Sequence, residues 1–171
     1  MVQAPSVRIE IREVAREDAA ELAGLLNALI AQGGTTALEV AFTPERLAET
    51  YLDGPSVHCC MVAVDRETGR LEGFQTLVRH PGLPDHIGDI GTFVRIDGKQ
   101  LGVGSALFAA TRKRAGALGL AVINATIRAD NHGGLAFYRK QGFEDHSVTP
   151  AVPLNDGRLV DRVNKRYRLA L

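Results

Sequence analysis

The sequence lacks an excess of charge and a long apolar run, and each absence excludes a class of protein. Its 171 residues contain 20 lysines and arginines against 20 aspartates and glutamates. The field that draws proteins to nucleic acid or to anionic membranes is therefore missing, and we expect small molecules or other proteins as partners. No apolar run approaches the roughly 20 residues that span a bilayer, and the opening "MVQAPSVRIEIREVARED" has charges where a signal peptide has its apolar segment. We therefore expect a cytoplasmic protein, with neither nucleic acid nor a membrane as its partner.

The sequence also has few cysteines and no pattern of metal ligands. Its two cysteines, Cys59 and Cys60, are neighbours in an apolar run, where they cannot join distant segments. We predict that both are small buried side chains of the core. No pair of histidines, cysteines or carboxylates has metal-ligand spacing, so no metal is expected. The length and the absence of repeats or long linkers predict a single domain over residues 1–171.

Apolar periodicity divides the first half of the chain into strands and helices. "VRIEIREV" alternates apolar and charged residues as a half-buried strand does, and leucines at helical spacing follow Asp18, which forms a capping-box pattern with Glu21. Thr43 and Pro44 predict the start of a second, short helix. Three strands are predicted next, in "VHCCMVAVD", "LEGFQTLVRH" and "HIGDIGTFVRI", with a hairpin turn at Gly69 between the first two.

The second half continues the alternation. An alanine-rich helix is predicted from about Gly104 to Leu118, then a buried strand in "LAVINATIRA" and a short helix that Gly142 ends. Two final strands follow. The predicted fold is α/β, a mixed sheet with helices on its faces in the order β-α-α-β-β-β-α-β-α-β-β.

The stretch "GKQLGVGSALF", residues 98–108, places two glycines directly before a helix. It is not a dinucleotide fingerprint, because Leu107 stands where a third small residue is needed, and no Gly-Lys-Ser/Thr follows to make a Walker loop. Two interpretations remain. One is a plain strand-to-helix turn. The other is an anion site, since the first amides of a helix lack internal partners and carry about half a positive charge.

A second motif, "ADNHGGLAFYRKQGF", indicates a specific site when it is taken together with the glycine turn. Asn131 precedes the short helix, and Tyr138 lies on it one turn after Leu135. Taken alone, a tyrosine at this spacing beside Phe137 is equally typical of a core position.

Together these segments resemble the GNAT superfamily of N-acetyltransferases over nearly the whole chain. The family's acetyl-CoA motif is Arg or Gln, two residues, Gly, one residue, and Gly or Ala; this chain has Lys99-Gln100-Leu101-Gly102-Val103-Gly104. Lysine in the first position departs from the motif, because it lacks the planar fork of arginine and the amide of glutamine. The second motif of the family matches Asn131, Phe137-Tyr138 and Gly142-Phe143.

The resemblance implies that the fourth and fifth strands run parallel and splay apart into a V-shaped cleft for acetyl-CoA. The pantetheine arm would pair with the fourth strand and hydrogen-bond Asn131, the pyrophosphate would rest on amides from Leu101 to Ala106, and Tyr138 would lie at the thioester sulfur. The implied cofactor-binding residues are Phe93, Val94, Arg95, Lys99, Gln100, Leu101, Gly102, Val103, Gly104, Ser105, Ala106, Asn131 and Tyr138.

Amide formation from a thioester needs a base, an oxyanion donor and an acid. An alkyl amine is protonated at neutral pH and must lose a proton before it attacks, and the leaving thiolate must gain one. Tyr138 is the predicted general acid, and a backbone amide near Val94 is the expected oxyanion donor. Asp89 on the fourth strand is the predicted base, with Glu39, His86 and His132 as rivals.

Three functions fit these features. The first is an enzyme that transfers an acetyl group from acetyl-CoA to a primary amine of a small molecule. The second is an acyl-CoA-binding sensor without catalysis, against which Tyr138 argues, because binding alone needs no proton donor. The third is a protein or peptide N-acetyltransferase, which needs an open groove. A homodimer is possible for each of them.

Overall fold

Seven strands and four α-helices make up the chain in a computed structural model that describes residues 8–97 and 102–170. The strands are β1 (Ile9–Glu13), β2 (Val57–Asp65), β3 (Leu71–Val78), β4 (Ile87–Val94), β5 (Val122–Arg128), β6 (Glu144–Pro153) and β7 (Leu159–Arg168). The helices are α1 (Ala19–Gln32), α2 (Pro44–Leu47), α3 (Val103–Ala117) and α4 (His132–Gln141). A 3-10 turn at Arg16–Asp18 precedes α1, and a π-helical turn at Ala48–Leu52 extends α2. This order confirms the predicted one.

The strands form one mixed sheet in the order β1-β2-β3-β4-β5-β7-β6. Strands β4 and β5 are parallel and pair only from Ile87 to Ile90 on β4 and from Val122 to Ala125 on β5. Beyond that point β4 continues to Val94 and β5 to Arg128 with no pairing between them. The two strands therefore separate into the predicted V-shaped gap, with backbone groups of β4 left without a neighbouring strand.

Apolar side chains cover both faces of the sheet. On one face, α1 and α2 pack in a cluster that includes Leu22, Leu26 and Phe74; on the other, α3 and α4 pack in a cluster that includes Phe108 and Ile123. Cys60 belongs to the first cluster and Cys59 to the second, as the alternation of a strand requires. Both cysteines are buried and unpaired, which confirms their prediction as core residues.

Local sequence signals predicted most turns and caps correctly. The Thr43 hydroxyl accepts the Arg46 amide at 3.1 Å and so caps α2, and Gly69 and Gly142 adopt positive φ angles of 74° and 101° at the predicted turn and helix end. The predicted capping box of α1 is wrong. Asp18 instead accepts the Ala15 amide and pairs with Arg12, because an arginine on the neighbouring strand reaches it.

No helix in the described part of the chain is long and apolar enough to cross a membrane.

Candidate active site

A cleft of about 940 Å³ lies where β4 and β5 separate. Its walls come from the loop between α1 and α2, the unpaired half of β4, the end of β5, and the N-termini of α3 and α4. Among the predicted site residues, those that line it are Asp89, Phe93, Val94, Gly102, Val103, Gly104, Ser105, Asn131 and Tyr138. One cleft therefore brings together both motifs and the two candidate catalytic side chains.

The free edge of β4 presents alternate backbone amides to the cleft. The Arg95 amide donates to the Glu72 carbonyl at 2.9 Å, on the β3 side. Because backbone groups alternate along a strand, Phe93 also directs its amide toward β3, whereas Thr92 and Val94 direct theirs toward the gap. The guanidinium of Arg95 donates to the Leu71 carbonyl and pairs with Glu21 at 3.1 Å, so this side chain is held away from the cleft.

The N-terminus of α3 supplies further amides. Its first intrahelical hydrogen bond joins the Ala106 amide to the Gly102 carbonyl at 2.9 Å. The amides of Val103, Gly104 and Ser105 therefore have no partner within the helix, and no acidic residue occupies its first turn. The Ser105 hydroxyl accepts the side-chain amide of Gln141 at 2.8 Å, which ties α3 to α4. The predicted contacts of Lys99, Gln100 and Leu101 lie outside the described residues.

The two glycines of this turn are required for different structural reasons. Gly102 has a φ of 87°, a left-handed conformation that side chains disfavour, and the space beside it is open. A Cβ on Gly104 would lie 2.8 Å from Cε2 of Phe137 on α4. Gly104 is thus needed for the close packing of α3 against α4, which was not part of the sequence interpretation.

Asn131 has a structural role at the edge of the cleft. Its side-chain oxygen accepts the Gly134 amide at 2.9 Å and caps α4, while its side-chain nitrogen donates to the Thr35 carbonyl at 3.2 Å. Thr35 belongs to the loop between α1 and α2. Asn131 therefore joins the start of α4 to the loop on the opposite wall.

Tyr138 stands buried where α4 meets β4. The residue is only 7% exposed, and its ring packs edge-on against Phe137 and Phe143. Its phenol oxygen lies 2.8 Å from the Thr92 hydroxyl. Burial raises the pKa of Tyr138 far above its ordinary value, although the Thr92 hydrogen bond acts in the opposite direction. The phenol therefore keeps its proton at neutral pH and can donate it.

Asp89 reaches the same cleft from the other face of the sheet. It is three residues before Thr92 on β4, so the two side chains point to opposite faces. One carboxylate oxygen accepts the side-chain amide of Asn124 at 2.9 Å, and Arg166 in turn donates to Asn124 at 2.6 Å. Burial raises the pKa of Asp89, and the Asn124 hydrogen bond partly offsets this rise. A carboxylate with a raised pKa is a better proton acceptor than an ordinary aspartate.

The rival bases do not line this cleft in the described part of the chain. The Glu39 carboxylate accepts the Asn155 amide at 3.0 Å and so binds the turn between β6 and β7. His86 precedes β4 and His132 is an exposed residue at the start of α4. Within residues 8–97 and 102–170, no group of three or more histidines, cysteines or carboxylates could hold a metal ion.

Two polar residues of this site were missed by the sequence interpretation. Gln75 on β3 donates through its side-chain amide to the Thr92 hydroxyl at 2.9 Å, and Thr92 is the partner of Tyr138. A signal for Gln75 was present in the sequence, since a polar residue within the apolar strand "LEGFQTLV" must find a hydrogen-bond partner when it is buried. The identity of that partner depends on strand register and could not be predicted.

Comparison with known proteins identifies the class of protein. The sequence matches the model of the Acetyltransferase (GNAT) family over residues 21–143. The chain therefore belongs to this family, which confirms the resemblance. It is an N-acetyltransferase, an acyltransferase that takes its acetyl group from acetyl-CoA. Among curated proteins, none matches the sequence.

Several solved structures share the fold. Phosphinothricin acetyltransferase (Pat) from Sinorhizobium meliloti, in complex with AcCoA, is 20% identical with a TM-score of 0.83 over 96% of this chain and 90% of that one. N-acetyltransferase from Staphylococcus aureus Mu50 is 20% identical with a TM-score of 0.82, over 95% of this chain and 99% of that chain. Ribosomal-protein-alanine N-acetyltransferase from Brucella melitensis is 20% identical with a TM-score of 0.79, over 94% of this chain and 99% of that chain.

The described residues fit acetyl-CoA. The free edge of β4 offers amides to an extended chain that carries amides of its own, as the pantetheine arm does. The unpaired amides at the start of α3, with no carboxylate beside them, suit a diphosphate. The buried phenol of Tyr138 stands at the narrow part of the V, where the chain of β4 meets α4.

Proposed function

We propose that this enzyme transfers an acetyl group from acetyl-CoA to a primary amine of a small molecule by direct attack while both are bound. The observation that carries the proposal is the position of Tyr138 and Asp89, which line one cleft from opposite faces of the sheet. An acid and a base on opposite sides of the reacting carbon are what direct transfer needs.

Binding of the donor uses the backbone more than the side chains. Amides of Val103, Gly104 and Ser105 hold the diphosphate, and the free edge of β4 aligns the pantetheine arm. We include Phe93, Arg95, Gly102, Ala106 and Asn131 in this binding region. Their local geometry supports an indirect role for several of them, since Asn131 caps α4 and the Arg95 side chain is tied to Glu21.

Acetyl-CoA supplies the acetyl group as an activated thioester, and the chain moves the protons. Asp89 accepts a proton from the ammonium group of the acceptor, directly or through one water. The Val94 amide faces the gap and donates to the acyl oxygen as negative charge develops there. Tyr138 gives its proton to the departing sulfur, so that coenzyme A leaves as a neutral thiol.

A small acceptor is favoured by the way in which the loop between α1 and α2 is held in place as one wall of the cleft. Arg128 donates to the Thr36 carbonyl at 3.3 Å, Asn131 donates to that of Thr35, and Asn155 donates to Glu39. At its other end, the loop is held by two hydrogen bonds between Asn27 and Phe42. A loop that is tied down at these points limits the space on this side of the cleft, which favours a small acceptor over a peptide that needs an open groove.

The structural neighbours do not indicate whether the acceptor is a small molecule or a peptide. One of them is named for phosphinothricin and another for the alanine of a ribosomal protein. The acceptor can be found directly by incubating the protein with acetyl-CoA and a panel of amines while following thiol release. Release with small amines but not with peptides is the expected result. Tight binding of acetyl-CoA without release for any amine or peptide would favour an acyl-CoA sensor.

The acid role of Tyr138 is tested by Tyr138→Phe, which keeps the ring and removes the proton. We expect kcat to fall by on the order of 10²-fold or more, with the KM for acetyl-CoA nearly unchanged. Tyr167→Phe is the matched control, because Tyr167 packs against Phe108 and Phe143 and does not line the cleft. An unchanged kcat in Tyr138→Phe would remove Tyr138 from the reaction.

A further inference from the structure

A chain of hydrogen bonds leads from the core of the sheet to the phenol of Tyr138. Gln75 on β3 and Thr92 on β4 are directly opposite each other in the register. The Gln75 side-chain amide donates to the Thr92 hydroxyl at 2.9 Å, and that hydroxyl lies 2.8 Å from the phenol oxygen. Gln75 is 0% exposed, so its side chain does not reach bulk water. Neither Gln75 nor Thr92 is assigned by the family match or by the fold neighbours.

The direction of the first hydrogen bond determines what Thr92 can do. Because Gln75 donates to the Thr92 oxygen, the single hydroxyl hydrogen of Thr92 is not used by Gln75. Within the described residues, the Thr92 hydroxyl has no other partner than Gln75 and Tyr138. That hydrogen is therefore available to the oxygen of Tyr138 whenever this oxygen can accept it.

Tyr138 needs such a donor when it acts as an acid. Its burial raises the pKa of the phenol, because the phenolate is poorly solvated in the core, and a raised pKa makes proton donation harder. A hydrogen bond to the phenolate opposes this effect. The aromatic side chains that pack against the ring, Phe137 and Phe143, offer no such donor.

We propose that Gln75 and Thr92 are positioning residues that act through Tyr138. Gln75 holds the Thr92 hydroxyl so that its hydrogen bonds to the oxygen that remains when Tyr138 gives up its proton. The proposal rests on the proposed role of Tyr138 as general acid. The Tyr138 O–H bond breaks as its proton passes to the sulfur. The acceptor nitrogen gives up two protons as the ammonium becomes an amide: Asp89 takes the first and releases it to solvent, and the second, lost once the C–N bond has formed, returns to the phenolate, so the cycle leaves no net charge on the enzyme.

The side-chain amide of Gln75 has an energetic cost for the fold, and the proposed role explains why a glutamine is nevertheless present. Its oxygen is buried and has no hydrogen-bond partner among the described residues. A buried polar atom without a partner destabilises the fold, so a leucine at this position would satisfy the core at least as well. The amide nitrogen, by contrast, is directed at Thr92. A glutamine in this place is explained by its donor to Thr92 and not by stability.

The kinetic test is a double-mutant cycle. Thr92→Val removes the hydroxyl and keeps the shape, and we expect kcat to fall about tenfold with the KM for acetyl-CoA nearly unchanged, as for the loss of one hydrogen bond in the transition state. Thr92→Ser should restore most of kcat. In a Tyr138→Phe background, Thr92→Val should have no further effect, because no phenolate forms there.

A matched control is available in Thr111→Val. Thr111 lies on α3, is fully buried, and has a hydroxyl without a partner among the described residues. It does not line the cleft. This substitution removes the same buried hydroxyl group at a position outside the site, so kcat should stay at the parental value.

A second readout does not depend on turnover. A fluorinated tyrosine at position 138 has a lower pKa, and its titration can be followed by fluorine NMR in the absence of acetyl-CoA. We expect Thr92→Val to raise that pKa, Gln75→Leu to raise it by a smaller amount, and Thr111→Val to leave it unchanged. Gln75→Leu keeps the proposal testable should Thr92→Val fail to fold.

The outcomes separate the two proposals. An equal loss of kcat from Thr92→Val in both backgrounds, or an unchanged pKa of the fluorinated tyrosine, would overturn the role of Thr92 and Gln75 while leaving Tyr138 as the acid. A parental kcat in Tyr138→Phe would overturn the acid role, and this proposal would fail with it.

Discussion

At the scale of single residues, Asp89 is the clearest source of pH dependence. Its pKa is raised by burial, so the carboxylate loses its charge at a higher pH than an ordinary aspartate, whose pKa is about 3.9. A base must be charged to accept a proton. We therefore expect kcat/KM to fall as the pH decreases through this raised pKa. In Asp89→Asn this acidic limb of the pH profile should be absent, and the rate should be lower by on the order of 10²-fold.

Asp85→Asn is a suitable control for that experiment. Asp85 lies in the loop before β4, is exposed, and pairs with Arg79 on the surface. It should leave the pH profile of kcat/KM unchanged. The same acidic limb in Asp89→Asn as in the parent enzyme would show that another group accepts the proton.

At the scale of elements, the packing of α3 on α4 depends on Gly104. A Cβ there would lie 2.8 Å from the Phe137 ring, so Gly104→Ala should destabilise the fold by about 1–3 kcal/mol. Gly116 lies on the same helix, where an added Cβ would meet nothing within 4 Å, and Gly116→Ala should stabilise by up to about 1 kcal/mol. Thermal or urea unfolding of the two variants measures the difference, and a Gly104→Ala protein as stable as the parent would contradict it.

The elements themselves were largely predictable from the sequence, because periodicity and caps are local. The alternation of Ile9 and Ile11, the Thr43-Pro44 start and the Gly142 end all predicted structure that is observed. The capping box of α1 failed because its two acidic residues have other partners, Arg12 and the Ala15 amide for Asp18 and a distant strand for Glu21. Glu21 accepts the Leu71 amide at 2.6 Å, 50 residues away, and only the packing of α1 on the folded sheet brings the two together.

Residues of the site could be predicted where a sequence motif marks them, but not where only a tertiary contact gives them a role. Tyr138 and Gly102 were predicted from the spacing of their neighbours, which resembles a family pattern, and both line the cleft. Thr92 was not, since its importance comes from Gln75, 17 residues before it, and from Tyr138, 46 residues after it. The reason for Gly104 was also hidden, because the sequence does not show that Phe137 packs against it.

At the scale of the whole molecule, carboxylates paired with arginines make the fold sensitive to acid. Hydrogen bonds from Arg8 lower the pKa of Asp65 to about 2, and Arg12 likewise lowers the pKa of Asp18. A carboxylate with a lowered pKa stabilises the fold above its unfolded pKa of about 3.9 and loses that contribution as the pH falls toward its folded value. Asp65 therefore stabilises the fold fully at neutral pH and progressively less between about pH 4 and about pH 2.

The variant Asp65→Asn tests this dependence through the melting temperature. Its Tm should lie below that of the parent at pH 7, and the gap should narrow as the pH falls from about 4 to about 2. A gap of constant size across that range would indicate that Asp65 acts through shape and not through its charge.

The unpaired half of β4 also has a consequence for inhibitor design. In most sheets the interior strands are hydrogen-bonded on both sides and cannot pair with another chain. Here an interior strand has backbone hydrogen-bonding groups that no neighbouring strand uses. We expect a compound with two amides at peptide spacing to dock there as an added strand, because the edge recognises backbone-like groups and not terminal groups. Short amide-bearing molecules, without a nucleotide or a sulfur, are therefore a starting point for ligands that compete with the donor.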